Sequence, residues 1–176
     1  MTSLHAFVDE SVRGTYMICA VMIPASEVAS ARRVLRGLLK GSQGRLHMAK
    51  ENVHNKKSIL NQVSSMEVVA QVITISISGQ SQRKARDKCL KSLVGQLLEM
   101  KVQRVVIESC DQDKADLQVM GDELARLGAL HVISIVHMRP HEEPLLWIPD
   151  VIGWAYGKAG AWRKKIEGLL HTATHL

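Results

Sequence analysis

Apolar runs and polar breaks divide the chain into short strands and amphipathic helices. Leu4 to Asp9 and Thr15 to Ile23 are apolar almost throughout, and a turn containing Gly14 separates them. This predicts an antiparallel hairpin whose strands are buried on both faces. After Pro24, Ser26 is placed to cap a helix with Val28, Ala31, Val34, Leu35, Leu38 and Leu39 at helical spacing, ending at Gly41. Gly41 to Asn55 is polar and reads as a loop with room for a short strand, followed by a helix from Asn55 to Ser65.

From Val68 to Ser78 the pattern alternates, with Ile73, Ile75 and Ile77 set against Thr74, Ser76 and Ser78. That predicts a strand with one polar face, placed at a sheet edge. A long helix follows, its stripe of Ala85, Cys89, Leu90, Leu93, Val94, Leu97 and Leu98 opposite Arg83, Lys84, Arg86, Lys88 and Lys91, a basic face expected in solvent. A buried strand Gln103 to Glu108, a helix Asp113 to Leu127, a strand Leu130 to Met138 and a final helix from Pro149 to about Leu169 complete the order. This order predicts an α/β layer fold with an early hairpin and parallel late strands. With 176 residues, 46% of them hydrophobic, the chain fills one core, so residues 1–176 are read as a single domain without repeats or linkers.

Lys and Arg number 23 against 17 Asp and Glu, a net charge of +6 that favours an anionic partner, nucleic acid first. Cys19, Cys89 and Cys110 stand singly, which argues against a disulfide framework or zinc knuckle and for a reducing, cytoplasmic setting. No secretory leader and no apolar run of about 18 residues is present, so no membrane association is expected. His171 and His175 are four residues apart, but no Cys or acid accompanies them to complete a zinc site.

Against this basic background, acids recur at the ends of apolar segments: Asp9-Glu10 after the first strand, Glu108 after Val105-Val106-Ile107, and Asp150 after Ile148-Pro149. A strand end holds a carboxylate rigidly, and oxygen ligands suit a hard cation, Mg²⁺ or Mn²⁺, better than zinc. Taken singly, each acid is equally well a polar turn, a solvated strand end or a helix-terminal charge. Alternation along a strand also sends Asp9 and Glu10 to opposite faces unless the strand ends or bulges there. Pro149 suits the first position of a helix, with Asp150 in its first turn, and Gly153 and Gly157 allow that helix to dock closely. Trp147, Trp154 and Trp162 lie near Arg163-Lys164-Lys165 and suggest either a nucleic-acid-facing surface or a buried helix with a basic exit.

Val8-Asp9-Glu10-Ser11-Val12-Arg13-Gly14, with the apolar strand Ile18 to Ile23 behind it, resembles the opening of type 2 ribonucleases H. The same Asp-Glu-Ser opening, together with Leu46-His47 and Ile148-Pro149-Asp150-Val151-Ile152-Gly153, resembles a widespread family of small ribonuclease H-like proteins over nearly the whole chain. The resemblance implies a ribonuclease H-like mixed sheet flanked by helices. It further implies metal-binding, catalytic acids at Asp9, Glu10, Glu108 and Asp150, and Arg13 and Gly14 against a nucleic-acid backbone. Val12 departs from the glycine of type 2 ribonucleases H, and Glu108 from their Asp.

The leading expectation is therefore a nuclease that hydrolyses phosphodiester bonds of RNA, an RNA:DNA hybrid or structured DNA by a two-metal mechanism. In it Asp9 bridges the metals, Glu108 and Asp150 complete separate shells, Glu10 is a ligand or supports one, and His47 moves protons or assists product release, with an ordinary polar loop residue as the competing reading of His47. Arg45, Arg163 and Lys164 join Arg13 and Gly14 as substrate contacts. The alternative is a non-catalytic nucleic-acid-binding or assembly protein of the same fold. A phosphotransfer domain is disfavoured by the lack of a Gly-rich Lys-Ser/Thr loop. The strand Val68 to Ser78, if at an edge, offers a homodimer contact.

Overall fold

The computed structural model describes residues 3–176. The predicted hairpin forms β1 (Leu4–Val12) and β2 (Thr15–Pro24), with Gly14 at φ +76° in the turn, a conformation open to glycine at no steric cost. A 3₁₀ turn then leads into α1 (Val28–Gly37), and α2 (Val53–Ser64) starts at Asn52, whose side chain accepts the amide of Asn55. There follow β3 (Val69–Ser76), α3 (Gln82–Glu99), β4 (Val102–Glu108), α4 (Asp113–Arg126), β5 (Ser134–Met138), α5 (Trp147–Lys158), α6 (Gly160–Lys164) and β6 (Leu170–His175).

The six strands lie in the order β5-β4-β1-β2-β3-β6. The β1/β2 and β2/β3 pairs are antiparallel, whereas β1/β4, β4/β5 and β3/β6 are parallel. Both sheet faces are covered. Phe7, Met17, Cys19, Val21 and Val106 face α1, α2 and α5, while Ala6, Val8, Ile18, Ala20 and Ile107 face α3 and α4. Period-two alternation on buried strands thus produces two cores from one sheet.

The entrance to α5 is fixed by Glu143, which is buried and takes two bonds from Arg32 of α1 (3.0 and 2.5 Å) and the amide of Leu145 (3.1 Å). Trp147 is buried, its indole N–H donating to the Pro140 carbonyl at 2.6 Å. Trp154 meets Trp162 edge-to-face at 5.1 Å between centroids. The tryptophan cluster therefore belongs to the core and its rim, because α5 is apolar nearly all round and is covered on most sides.

Four expectations are corrected. The helix from Pro149 stops at Lys158, where Ala159 adopts φ +56°, and Pro149 is the third residue of α5 instead of the first. The segment 170–175 forms a strand, which places His171 and His175 on extended backbone and not at helical spacing. That strand covers β3, so Val69–Ser76 is internal and the homodimer contact expected there is closed by the chain itself. Finally, Ser26 caps no helix and α1 ends at Gly37 instead of Gly41. Among the described residues, no helix is long and apolar enough to cross a membrane.

Arg86 overturns a fifth. It sits on the buried side of α3, 3% exposed, and bonds Asp116 of α4 through Nε and Nη2 at 2.8 and 2.6 Å. Its Nη1 reaches the Glu10 carboxylate and, at 2.9 Å, the Tyr16 hydroxyl, which itself donates to Glu10. Arg83 adds a third contact to Asp116 at 3.1 Å, and His137 lies 3.3 Å from the other oxygen. This knot ties α3, α4, β1, β2 and β5 together.

Removing one partner of a buried pair strands the other charge, so Arg86→Met should lower stability in urea unfolding by about 3–5 kcal/mol, and adding Asp116→Leu should recover most of it. Burial alone would raise the Asp116 pKa, but hydrogen bonds from Arg86 and His137 and the Arg86 charge hold it well below the usual carboxylate range. Its contribution to stability is thus complete above the unfolded value of about 4 and is lost as pH falls from there toward the lower folded value. The urea midpoint should decline below about pH 4 more steeply in the wild type than in Asp116→Asn.

Candidate metal centre

Asp9 follows Phe7 and precedes Ser11 on the β1 face that meets α5, and its partner across the hairpin is Cys19. Val8 is paired with Ile107 of β4, so extending that parallel register by one residue sets Glu108 beside Asp9 on the same face. Helix α5 crosses this face, with Gly153 close to β2: a Cβ there would lie 3.5 Å from Met17 Cε and 3.6 Å from Cys19 Cβ. One turn earlier on that helix, Asp150 lines a cleft of about 240 Å³ together with Asp9, Glu10, Arg13 and His47. Gly157 has no atom within 4 Å of a built Cβ and so plays no part in the close approach.

A fourth segment completes the surroundings. Leu46 and Met48 are buried and anchor the loop after α1, which turns Arg45 and His47 the other way. Arg45 Nη1 lies 3.3 Å from Glu108 Oε1, the Met48 amide donates to Asp150 Oδ2 at 2.8 Å, and His47 Nδ1 stands 3.5 Å from Asp150 Oδ1. Asp9 Oδ1 accepts the Glu10 amide at 2.7 Å. The structure therefore brings Asp9, Glu108, Asp150, Arg45 and His47 to one region from four separate stretches of sequence.

Burial, followed by the charges of Glu108 and Asp150, raises the Asp9 pKa well above the usual carboxylate range, and the Glu10 amide and Arg45 offset this only in part. The Cys19 thiol beneath is pushed far up by burial and by Asp9 and Asp150. Glu108 Oε2 is buried without a hydrogen-bond partner. Three mutually repelling carboxylates, one with an orphaned oxygen, have the donor chemistry of a hard divalent cation such as Mg²⁺ or Mn²⁺, whose ligands are oxygens. Asp9 is the member that feels both of the others.

The remaining expected residues are distributed differently. Glu10 points to the opposite side, because β1 runs on to Val12 without a bulge at this point, and its Oε2 is engaged by Arg86 and Tyr16. It lines a second cleft of about 240 Å³, which also takes in Asp9, Glu108 and Cys110. Arg13 and Gly14 are exposed at the hairpin turn beside the acidic cleft. Arg163 lies over the Tyr156 ring, its guanidinium carbon 4.0 Å from the centroid, and donates twice to the Tyr156 carbonyl. Lys164 is exposed on α6.

Among the described residues, the set of metal-ligand types whose atoms all lie within 4.8 Å of one another is Cys110, Asp113 and Asp116, which His137 adjoins, whereas Asp9, Glu108 and Asp150 do not approach one another that closely. Arg83 and Arg86 already neutralise Asp116, so a cation placed there would face two guanidinium groups. The set is better explained as part of the ion-pair knot. The sequence reading missed Arg86 and Asp116. The available signal was spacing: Arg86 falls three, four and seven residues before Cys89, Leu90 and Leu93 on the apolar stripe, and Asp116 four before Met120.

No family model and no curated protein matches the sequence. Among solved structures, the ribonuclease HII of Archaeoglobus fulgidus, from its complex with PCNA, superimposes with a TM-score of 0.58 at 14% identity. The match covers 94% of this chain and 76% of that one. At this identity the likeness shows the fold: a mixed six-stranded α/β sheet flanked by helices, similar to ribonuclease HII.

A carboxyl with a raised folded pKa favours folding while protonated and loses that contribution as pH rises from about 4 through its folded value. In EDTA at neutral pH, Asp9→Asn should therefore melt at a higher temperature than the wild type. Adding Mg²⁺ or Mn²⁺ should raise the wild-type midpoint and leave that of Asp9→Asn unmoved, because only a ligand held by the folded state stabilises it. Equal shifts in both proteins would remove Asp9 from the metal site.

Proposed function

We propose that this protein is a metal-dependent nuclease acting on RNA or an RNA:DNA hybrid. The observation that carries this reading is the mutual repulsion of Asp9, Glu108 and Asp150 in a basic protein, with Glu108 Oε2 buried and unpartnered and Asp9 lining two clefts, one with Asp150 and the other with Glu108. Likeness in fold to a ribonuclease HII supports it by analogy.

Asp9, Glu108 and Asp150 would hold Mg²⁺ or Mn²⁺, which supplies Lewis acidity toward phosphoryl oxygens and, as a pair of ions, the two-metal form of phosphodiester hydrolysis. Asp9, whose carboxyl feels the charges of both other acids, would be the central member of this set. Glu10 is excluded from the ligand set, since Arg86 and Tyr16 hold its carboxylate toward the other face. Arg45 orients Glu108 and offers positive charge to a phosphate, while His47 is positioned beside Asp150 to carry a proton. Arg13 meets the backbone of the bound strand, and Gly14, without a side chain at the tip of the turn, leaves room for that approach.

Arg45 favours a second reading. Its guanidinium already pairs with Glu108, and the Met48 amide with Asp150, so two of the three acids have protein partners without a metal. On that basis the cleft would serve a nucleic-acid-binding protein that cleaves nothing.

Labelled RNA, RNA:DNA hybrid, single-stranded DNA and duplex DNA, incubated with Mg²⁺ or Mn²⁺, separate the two. Cleavage of RNA or hybrid is expected, with Asp9→Asn reduced to the level of the EDTA control. Binding without cleavage of any substrate would establish the second reading, and full activity in Asp9→Asn would refute the first at its centre.

A further inference from the structure

Beyond the acidic cleft, and sharing Ser11, Arg13, Met17 and Gly153 with it, lies a cavity of about 300 Å³. Its character is opposite. No carboxylate lines it, and Arg13, Arg163 and His175 converge on it with Thr74, Tyr156 and Gly157. Strands β1, β2, β3 and β6 and helices α5 and α6 contribute, with β6 supplying His175, whose Nδ1 lies 3.0 Å from the Thr74 hydroxyl.

Two features make this a receptor for something planar and anionic. Arg163 is stacked on the Tyr156 ring and locked there by its two bonds to the Tyr156 carbonyl. That gives a rigid platform of ring and guanidinium plane on which a base can stack. Gly157, on the exposed side of α5, places no side chain in the space: a Cβ built there meets nothing within 4 Å. Arg13 stands at the junction of the two cavities, where a phosphate linking their occupants would pass.

We infer that this cavity is a nucleotide subsite, holding the residue next to the phosphodiester at Asp9 and Asp150, with its base against Tyr156 and Arg163 and its phosphate on Arg13. The occupant is an unpaired unit, as in single-stranded RNA; a nucleotide of an RNA:DNA hybrid reaches the platform only once its base leaves the duplex stack. The inference rests on the nuclease reading for what happens at the acids, and on the cavity alone for binding. A volume of about 300 Å³ sits at the small end of ligand pockets, suited to one nucleotide and not to a duplex turn.

Gly157→Leu is the informative variant. The position is helical with φ in the ordinary range and has open space around it, so the substitution fills the cavity without disturbing the fold, which an unchanged or higher melting temperature would verify. Affinity for a short fluorescein-labelled single-stranded RNA is then measured by anisotropy in EDTA, where no metal-dependent cleavage occurs. Gly157→Leu and Arg13→Ala should each weaken binding on the order of tenfold, while Lys114→Ala on α4 leaves it unchanged. Wild-type affinity in Gly157→Leu, equal weakening in Lys114→Ala, or no binding by the wild type overturns the inference, whatever the cleavage assays give. Weakened binding in Gly157→Leu, in a protein that cleaves no substrate, would sustain the subsite and defeat the nuclease reading alone.

Discussion

The ion pair between Arg86 and Asp116, closed by Glu10 and Tyr16, constrains the whole arrangement at the carboxyl end of β1. A strand offers successive side chains to opposite faces, and Asp9-Glu10 would otherwise present two adjacent acids with little to distinguish them. Arg86, buried on α3, draws Glu10 to its own layer. The register of β1 then leaves Asp9 on the α5 side with Glu108. One buried cation thereby divides the acids into a charge-neutral knot on one face and a carboxylate-rich cleft on the other.

The two faces bear opposite electrostatic consequences. On the α3/α4 side each buried oxygen of Asp116 has a guanidinium or imidazole partner, and the carboxyl is correspondingly acidic. On the α5 side Asp9 is buried and feels the charges of Glu108 and Asp150, with the Glu10 amide and Arg45 in partial compensation, so its carboxyl is hard to ionise. A fold tolerates such crowding at a cost in stability when the site is completed by an external charge. The Arg45–Met48 arm moderates the cost, since Leu46 and Met48 are buried as anchors while Arg45 and the Met48 amide each satisfy one acid.

The C-terminal region extends this logic along the surface. The break at Ala159 turns the chain off α5, and the return through β6 closes the sheet beside β3. That return brings His175 to Thr74 and holds Arg163 over Tyr156, which builds a basic cavity against the acidic one. A cavity without carboxylates thus adjoins the acidic cleft, with Arg13 lining both.

The hairpin, the central helices, the parallel late strands and the acids at segment ends were all legible in the sequence, because strong period-two and 3.6-residue patterns reflect burial that each segment carries within itself. The strand 170–175 was not: His171, Thr172, Thr174 and His175 leave it half exposed, with no apolar run to mark it. Nor was the burial of Arg86, since a charge on an apolar stripe acquires its partner only from another helix thirty residues away. Local pattern determined which segments fold and which acids stand at their ends. Only the tertiary structure decided which of those acids share a face, because register and the position of the buried cation are set by contacts between segments that no local pattern contains.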